Sequence, residues 1–104
     1  MKQIGIIQKI SPLTTIEVTQ TTGEKKPMYK QGVVVGLGKQ AVYVDFIDSS
    51  ETIAKALAAK IAVGQVVQVD YDSFVREFTD KTGATRYENR LTGRDLQIFS
   101  DRAF

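Results

Sequence analysis

The sequence contains neither cysteine nor histidine in its 104 residues. Without cysteine there is no disulfide framework and no thiolate metal site, and a reducing cytoplasm is the simplest compartment. Without histidine as well, the usual nucleophilic triads and imidazole metal sites are excluded. Asp70 and Asp72 share one strand face and could hold Mg²⁺, but two acids on a solvent-facing strand are more often only its polar face. We therefore predict that the protein is not an enzyme and uses no cofactor.

Long apolar runs and a strong charge bias are also absent. No segment is apolar for long enough to form a signal peptide or a membrane span, so we expect a soluble, cytoplasmic protein without membrane contact. Lys and Arg number 14 against 12 Asp and Glu, giving a formal net charge of +2. Any affinity for nucleic acid must therefore depend on where the cations lie. The length and the 42% hydrophobic content suit a single domain over residues 1–104.

Alternating and β-branched segments predict three strands in the first half of the chain. The first strand covers residues 2–10, is interrupted near Pro12 and resumes over residues 15–19. Residues 28–36 and 40–47 predict the second and third strands, and the short turn between them makes these strands antiparallel.

One segment has helical periodicity. Asp48 or Ser49 can cap this helix, and Glu51 can complete a capping box. The apolar positions recur every four residues: Ile53, Leu57 and Ile61. We expect a helix of about three turns that closes one end of a small barrel.

Residues 64–99 predict one long hairpin made of two strands. Val67, Val69 and Tyr71 alternate with polar residues, as in a strand with one buried face. The chain reverses at residues 80–83 in a type I turn closed by a glycine that can take φ > 0. Both arms carry aromatic residues and cations together: Arg76, Phe78, Lys81, Arg86, Tyr87 and Arg90. Rings beside cations on an extended strand can hold unstacked bases while the phosphates are neutralised.

Three strands, one helix and two further strands follow the order of the oligonucleotide/oligosaccharide-binding (OB) fold. The predicted fold class is therefore all-β with one short α-helix. It is a five-stranded Greek-key OB-fold barrel whose helix lies between strands 3 and 4.

The chain from the helix onward resembles the bacterial single-stranded DNA-binding protein family, or a phage- or plasmid-type relative of it. The matching motifs occur in the family's order: Gly64, Val67-Gln-Val69, Arg76-Glu-Phe78, Asp80-Lys-Thr-Gly83, Arg86-Tyr87 and Leu96-Gln-Ile98. In that family the aromatic residue at the Phe78 position stacks on a base, and the resemblance implies the same role for Phe46. Tryptophan supplies much of the stacking surface in the family, and this chain has none. Phe and Tyr would therefore provide the stacking.

The predicted function is sequence-independent binding of single-stranded DNA, and the sequence does not distinguish DNA from RNA. Stacking is assigned to four aromatic residues: Tyr29, Tyr43, Phe46 and Phe78. Contact with the nucleic-acid backbone is assigned to five cations: Lys30, Lys39, Arg76, Lys81 and Arg86.

These aromatic residues and arginines also have purely structural interpretations. Either Tyr43 or Phe46, together with Phe99, could fill the core of the barrel. Arg86 and Arg90 could form ion pairs across the hairpin, worth under about 1 kcal/mol each. Their carboxylate partners would be Glu77 or Asp72.

The alternative function is an OB-fold module for protein interaction that does not bind nucleic acid. Its open strand edge or exposed aromatic residues would pair with another protein or with a like subunit. A homo-oligomer, either a dimer or a tetramer, is expected under both hypotheses.

Overall fold

The computed structural model of the chain describes residues 1–101, which form six strands and one helix. The elements are β1 (Lys2–Ile10), β2 (Thr14–Thr19), β3 (Lys25–Leu37), β4 (Gln40–Asp48), α1 (Glu51–Lys60), β5 (Val66–Thr79) and β6 (Thr85–Ser100). The predicted count of five strands is wrong, and the helix lies between the fourth and fifth strands. The reason is Pro12, which has no N–H to continue a ladder and divides the predicted first strand into β1 and β2. The predicted domain end at residue 104 lies outside the described residues.

The strands form one sheet that closes into a ring. Their order is β1-β5-β6-β4-β3-β2, and β1 also pairs with β3. β1 closes the ring with its two halves, because residues 2–6 pair with β5 and residues 6–10 pair with β3. Where β1 meets β3, a Cβ on Gly5 would lie 2.7 Å from the Cα of Gly36, so only glycine allows this approach. β2 extends the sheet beyond β3.

The core lies inside the ring and consists mainly of β-branched side chains. The fully buried residues are Ile7, Val33, Val35, Val44, Val67 and Val69. Branched side chains pack well on the pleated face of a sheet. Burying each of them contributes roughly 1.5–3 kcal/mol relative to leaving it exposed.

Helix α1 packs against β3 and β4. Its N-cap is Ser50, whose Oγ accepts a hydrogen bond of 3.3 Å from the N–H of Ile53. The predicted caps, Asp48 and Ser49, are wrong because the Asp48 carboxylate accepts from the N–H of Ser50 and leads the chain into the helix. Leu57 packs against the core as predicted. Ile53 does not, since its side chain is exposed.

β5 and β6 form the predicted hairpin, which extends well beyond the ring. β1 covers residues 66–70 of β5, whereas the pairing of β5 with β6 continues to Thr79 and Thr85. The part beyond the ring, residues 73–79 and 85–91, is a two-stranded structure that we call the ribbon. The predicted turn is confirmed, because Gly83 has φ +84° and its N–H donates to the carbonyl oxygen of Asp80 at 3.1 Å.

Candidate nucleic-acid interface

Strand alternation divides the sheet into an inner face toward the core and an outer face. On β4, Val44 is buried, so its neighbours Tyr43 and Asp45 point outward. On β5, Val69 and Tyr71 are buried, so the even-numbered residues that follow point outward. Residues paired across strands share a face, which extends this assignment to β3 and β6. The outer face therefore includes Lys30, Gly32, Tyr43, Asp45, Phe74, Arg76, Phe78, Arg86, Glu88 and Arg90.

Two rings and one guanidinium group form a row across three strands of the outer face. Phe74 on β5 pairs directly with Arg90 on β6. β4 and β6 run parallel and pair at Asp45 and Thr92. Tyr43 and Arg90 each lie two residues earlier on these strands, and both line the same cleft. Phe74 and Tyr43 are both 48% exposed. An aromatic, a cation and an aromatic in sequence across a sheet suit a strand whose bases alternate with phosphates.

Gly32 makes room for the ring of Tyr43. A Cβ at position 32 would overlap the Tyr43 phenol at its Oη, Cζ and Cε2 atoms. The Tyr43 hydroxyl also lies 3.4 Å from Ser11 Oγ. The ring therefore crosses β3 where no side chain stands, and its exposed part can accept a base. Of the two aromatic residues proposed as alternatives for the core, Tyr43 is therefore not the core residue, and Phe46 is.

Arg76 and Phe78 form a second aromatic and cationic pair on the ribbon. The Cζ of Arg76 lies 5.8 Å from the centroid of the Phe78 ring, within the range of a cation–π contact. Within residues 1–101, no carboxylate lies within 4.0 Å of the Arg76 guanidinium. Its charge can therefore act on a phosphate without first leaving an acidic partner.

Two other cations of the outer face have carboxylate partners beside a cleft of about 670 Å³. Lys30 Nζ lies 3.8 Å from Asp45 Oδ2, and Arg90 Nε lies 3.3 Å from Glu88 Oε1. The second oxygen of Asp45 is buried and makes no hydrogen bond to residues 1–101. The cleft therefore has both charge signs, with polar groups that a bound ligand could satisfy.

The hairpin turn fixes the position of Arg86. Asp80 Oδ1 accepts from the N–H groups of Thr82 and Ala84 at 2.9 and 3.1 Å, and Arg86 Nε donates to Asp80 Oδ2 at 2.6 Å. The hydrogen bond from Arg86, followed by that from the Thr82 hydroxyl, lowers the pKa of Asp80 to about 2. Arg86 is thus held beside the turn by a carboxylate that stays ionised.

The predicted ion pairs of the hairpin exist with different partners. Arg86 pairs with Asp80 and Arg90 with Glu88, whereas Asp72 pairs with Arg94 at 3.3 Å. The prediction of Glu77 or Asp72 as partners is therefore wrong. Asp80 and Glu88 lie closer to these arginines because one belongs to the turn and the other is two residues away on the same strand face.

The nine predicted site residues occupy three places. Five of them lie on the outer face: Lys30, Tyr43, Arg76, Phe78 and Arg86. Lys39 lies in the β3–β4 turn and Lys81 in the hairpin turn. The remaining two, Tyr29 and Phe46, alternate with outer residues and belong to the inner face.

Tyr29 and Phe46 have partners within the fold. The hydroxyl of Tyr29 donates to Glu51 Oε2 at 3.4 Å, near the start of α1. Phe46 packs against the core, where a Cβ on Gly93 would overlap its ring. A stacking role for these two residues remains a prediction that the outer face does not support. The proposed core position of Phe99 is wrong, since this ring is 50% exposed.

The sequence analysis missed Phe74 and named Arg90 without assigning it to the site. A signal was present, because Phe74, Arg76 and Phe78 follow one another at every second position of one strand. Alternation alone places these three side chains on one face. No sequence pattern indicates that Arg90 lies near Tyr43, since the two residues come close only when β4 and β6 pair in the folded sheet.

The fold is similar to that of solved single-stranded DNA-binding proteins. A crystal structure of the mitochondrial single-stranded DNA-binding protein Rim1 of S. cerevisiae (form 2) has a TM-score of 0.59 and 17% identity, covering 97% of this chain and 94% of that chain. Its selenomethionine-labelled form 2 crystal gives a TM-score of 0.58 and 17% identity, with coverages of 96% and 93%. Form 1 gives 0.53 and 15%, with coverages of 97% and 95%.

No family model and no curated protein matches this sequence. At identities this low, the similarity to Rim1 shows a shared fold and does not establish the predicted bacterial family. Within residues 1–101, no helix is both long and apolar enough to cross a membrane. The same residues include no group of three or more carboxylates that could hold a metal ion.

Proposed function

We propose that this protein binds single-stranded DNA through its outer face, without sequence preference and without catalysis. The observation that carries the proposal is the row Tyr43, Arg90 and Phe74, two exposed rings on either side of a guanidinium. The fold supports it, because three solved structures with a similar fold are named as single-stranded DNA-binding proteins.

Binding would combine stacking with contacts to phosphates. Bases that are not paired can lie on the rings of Tyr43, Phe74 and Phe78, and every base offers such a π-face. Arg76 and Arg90 lie beside these rings and can neutralise the phosphates between successive bases. Duplex DNA keeps its bases stacked on one another, so it can use the cations but not the rings. This difference would give a preference for single strands.

The other predicted features belong to the proposal as expectations. Lys39 and Lys81 would extend the cationic path at the two turns, and RNA would bind by the same stacking contacts. We expect a homo-oligomer in the cytoplasm, in line with the sequence-based prediction.

The first test is a fluorescence-anisotropy titration of a labelled single-stranded oligonucleotide at two salt concentrations, with duplex DNA as competitor. We expect affinity to fall with salt, with a slope of about −0.7 per phosphate neutralised, and the duplex to compete poorly. Phe78→Ala and Phe74→Ala should each lose roughly 1–3 kcal/mol of binding free energy. Equal competition by duplex DNA would contradict the stacking mechanism.

Phe99→Ala provides the matched control for the aromatic variants. Phe99 is exposed to the same extent as Phe74 but lies at the opposite end of β6. Its replacement should leave the affinity unchanged within about twofold, because Phe99 lies outside the ribbon and is not part of the row of Tyr43, Arg90 and Phe74. If Phe99→Ala and Phe74→Ala weaken binding equally, then the ribbon is not the stacking surface.

A further inference from the structure

A cavity of about 360 Å³ lies between helix α1 and the sheet. Its lining comes from α1, from β3 and β4, and from residues 93–96 of β6. It shares no lining residue with the cleft beside Tyr43 on the outer face. A ligand in this cavity would therefore leave the row of Tyr43, Arg90 and Phe74 open.

The exposure of the lining residues distinguishes the base of the cavity from its mouth. Gln31, Ala54 and Leu96 are buried and form the base. Ile47 is 39% exposed and Ile53 is 58% exposed, so these two side chains stand at the mouth. A group that enters the cavity therefore passes apolar side chains first and reaches Gln31 only at the base.

The side-chain amide of Gln31 has one end without a partner. Its Nε2 donates to the carbonyl oxygen of Ser11 at 3.2 Å, which fixes the orientation of the amide. Its Oε1 is buried and has no hydrogen-bond partner within residues 1–101. A buried acceptor without a donor is unfavourable, and a ligand that donates one hydrogen bond here would relieve this cost.

Charge and size limit what can occupy the cavity. The charged lining residues balance, with two of each sign: Asp48, Asp95, Lys60 and Arg94. A balanced lining gives no net attraction for a phosphate, unlike the arginines of the outer face. The volume is at the lower end of the roughly 300–1,000 Å³ of ligand sites, and a helix of about 10–12 Å diameter is too wide to enter.

The occupant is therefore a single uncharged group with an apolar body and a hydrogen-bond donor at its tip. The donor must be at the tip because the acceptor, Gln31 Oε1, lies at the base. The side chains of tyrosine and tryptophan have this chemistry, and their O–H and N–H groups usually find a partner when they are buried.

The mouth indicates that this group belongs to a protein. Ile47 and Ile53 lose their contact with water only when a larger surface covers them, and a free small molecule inside the cavity would leave them exposed. An aromatic side chain that fills a pocket, with charged groups around it, is the usual centre of a contact between proteins.

We propose that this cavity is a docking site for a partner protein, which inserts a tyrosine or tryptophan side chain that donates a hydrogen bond to Gln31 Oε1. The ring of the partner packs against Phe46 and Leu57. This function goes beyond the binding of DNA and does not depend on it. A copy that holds a single strand on its outer face can bind the partner at the same time.

The test uses blocked amino acids that carry the side chain and the adjoining peptide groups of such a partner. N-acetyl-tyrosinamide, N-acetyl-tryptophanamide and N-acetyl-phenylalaninamide are titrated into the ¹⁵N-labelled protein, and binding is followed by NMR. We expect Kd values in about the millimolar range, with shifts at the lining residues. The tyrosine compound should bind roughly 2- to 10-fold more tightly than the phenylalanine compound, which has no hydroxyl.

Two substitutions examine the mouth and the base separately. Ala56 is exposed on α1 and lines the cavity, so Ala56→Phe should obstruct the mouth and weaken binding at least about tenfold. Ala59→Phe is the matched control, because Ala59 is exposed on the same helix but does not line the cavity. Gln31→Met removes the acceptor at similar volume, and the preference for tyrosine over phenylalanine should disappear.

Several results would overturn the proposal. They are equal binding of the tyrosine and phenylalanine compounds to the parent, unchanged binding to Ala56→Phe, and binding of free phenol but not of N-acetyl-tyrosinamide. Sedimentation provides a further check, since a parent oligomer that only Ala56→Phe loses would identify a second copy of this chain as the occupant. Ala56→Phe should bind the labelled single-stranded oligonucleotide within about twofold of the parent. A larger loss would assign the cavity to the DNA site, whereas failure of the parent to bind the oligonucleotide would reject the proposed function alone.

Discussion

A methyl group at position 32 should weaken DNA binding without weakening the fold. The added Cβ would meet the far end of the Tyr43 side chain, which is half exposed and can rotate away toward solvent. The backbone itself allows alanine, because Gly32 is not one of the glycines with positive φ. Glycine within a strand is also less favourable than alanine by roughly 0.5–1 kcal/mol. The free energy of unfolding of Gly32→Ala should therefore be unchanged or up to about 1 kcal/mol higher.

The same substitution should remove the platform on which a base stacks. Loss of one stacked base costs roughly 1–3 kcal/mol, which corresponds to about a 5- to 150-fold weaker Kd. Tyr43→Ala should have an effect of the same size. The double variant should bind no more weakly than Tyr43→Ala, because without the ring the new methyl group has nothing to displace. The two substitutions are thus expected to be non-additive.

Urea unfolding and anisotropy titration of the parent and these three variants provide the assay. Our reasoning requires affinity and stability to change in opposite directions, or affinity alone to change. If Gly32→Ala binds like the parent while Tyr43→Ala does not, the position of the ring is irrelevant to stacking. If the two losses simply add, the methyl group acts through something other than Tyr43.

Three further predictions concern the inner face, the turn and the helix. Gly93→Ala should lower the free energy of unfolding by about 1–3 kcal/mol, because the half-buried Phe46 ring cannot move freely away from the new methyl group. Chemical denaturation measures this loss. Unchanged DNA affinity of the folded variant would show that Phe46 does not contribute to the binding site. The stabilisation from the ionised Asp80 should be present above pH 4 and lost as the pH falls toward 2. Arg86→Ala should raise the pKa of Asp80 toward its usual value, and NMR titration of the Asp80 carboxyl carbon measures this change. Ser50→Ala should cost about 1 kcal/mol of stability through the lost N-cap, and an unchanged thermal midpoint would contradict that role.

Local alternation was sufficient to predict the hairpin and the positions of the strands, although not their number. Val67, Val69 and Tyr71 are buried in the structure, as their spacing indicated. The signal is strong here because each strand has one face in the core, and a shift by one residue would turn every side chain to the wrong side. The division at Pro12 was visible in the sequence, but its effect on the strand count depends on which partner each segment finds.

The two aromatic residues of β4 could not be assigned to the inner or the outer face from the sequence. Tyr43 and Phe46 are three residues apart, so alternation puts them on opposite faces without saying which one is outside. Gly32 and Gly93 decide this, because each leaves the space that one ring occupies. Both glycines belong to other strands, and their proximity to these rings is a property of the assembled sheet. The row from Phe74 to Tyr43 was hidden from sequence analysis for the same reason.

The double pairing of β1 also determines when the ring can form during folding. The first half of β1 pairs with residues 66–70, so a segment at the N-terminus can form its ladder only after a segment far along the chain has reached it. Contacts between distant segments stabilise the folding chain only after the conformational entropy of the long loop between them has been lost. We therefore expect this small domain to fold in milliseconds to seconds, more slowly than a helical chain of equal length. Until β5 arrives, β1 presents an open edge to other nascent chains, which makes it the segment where aggregation would begin.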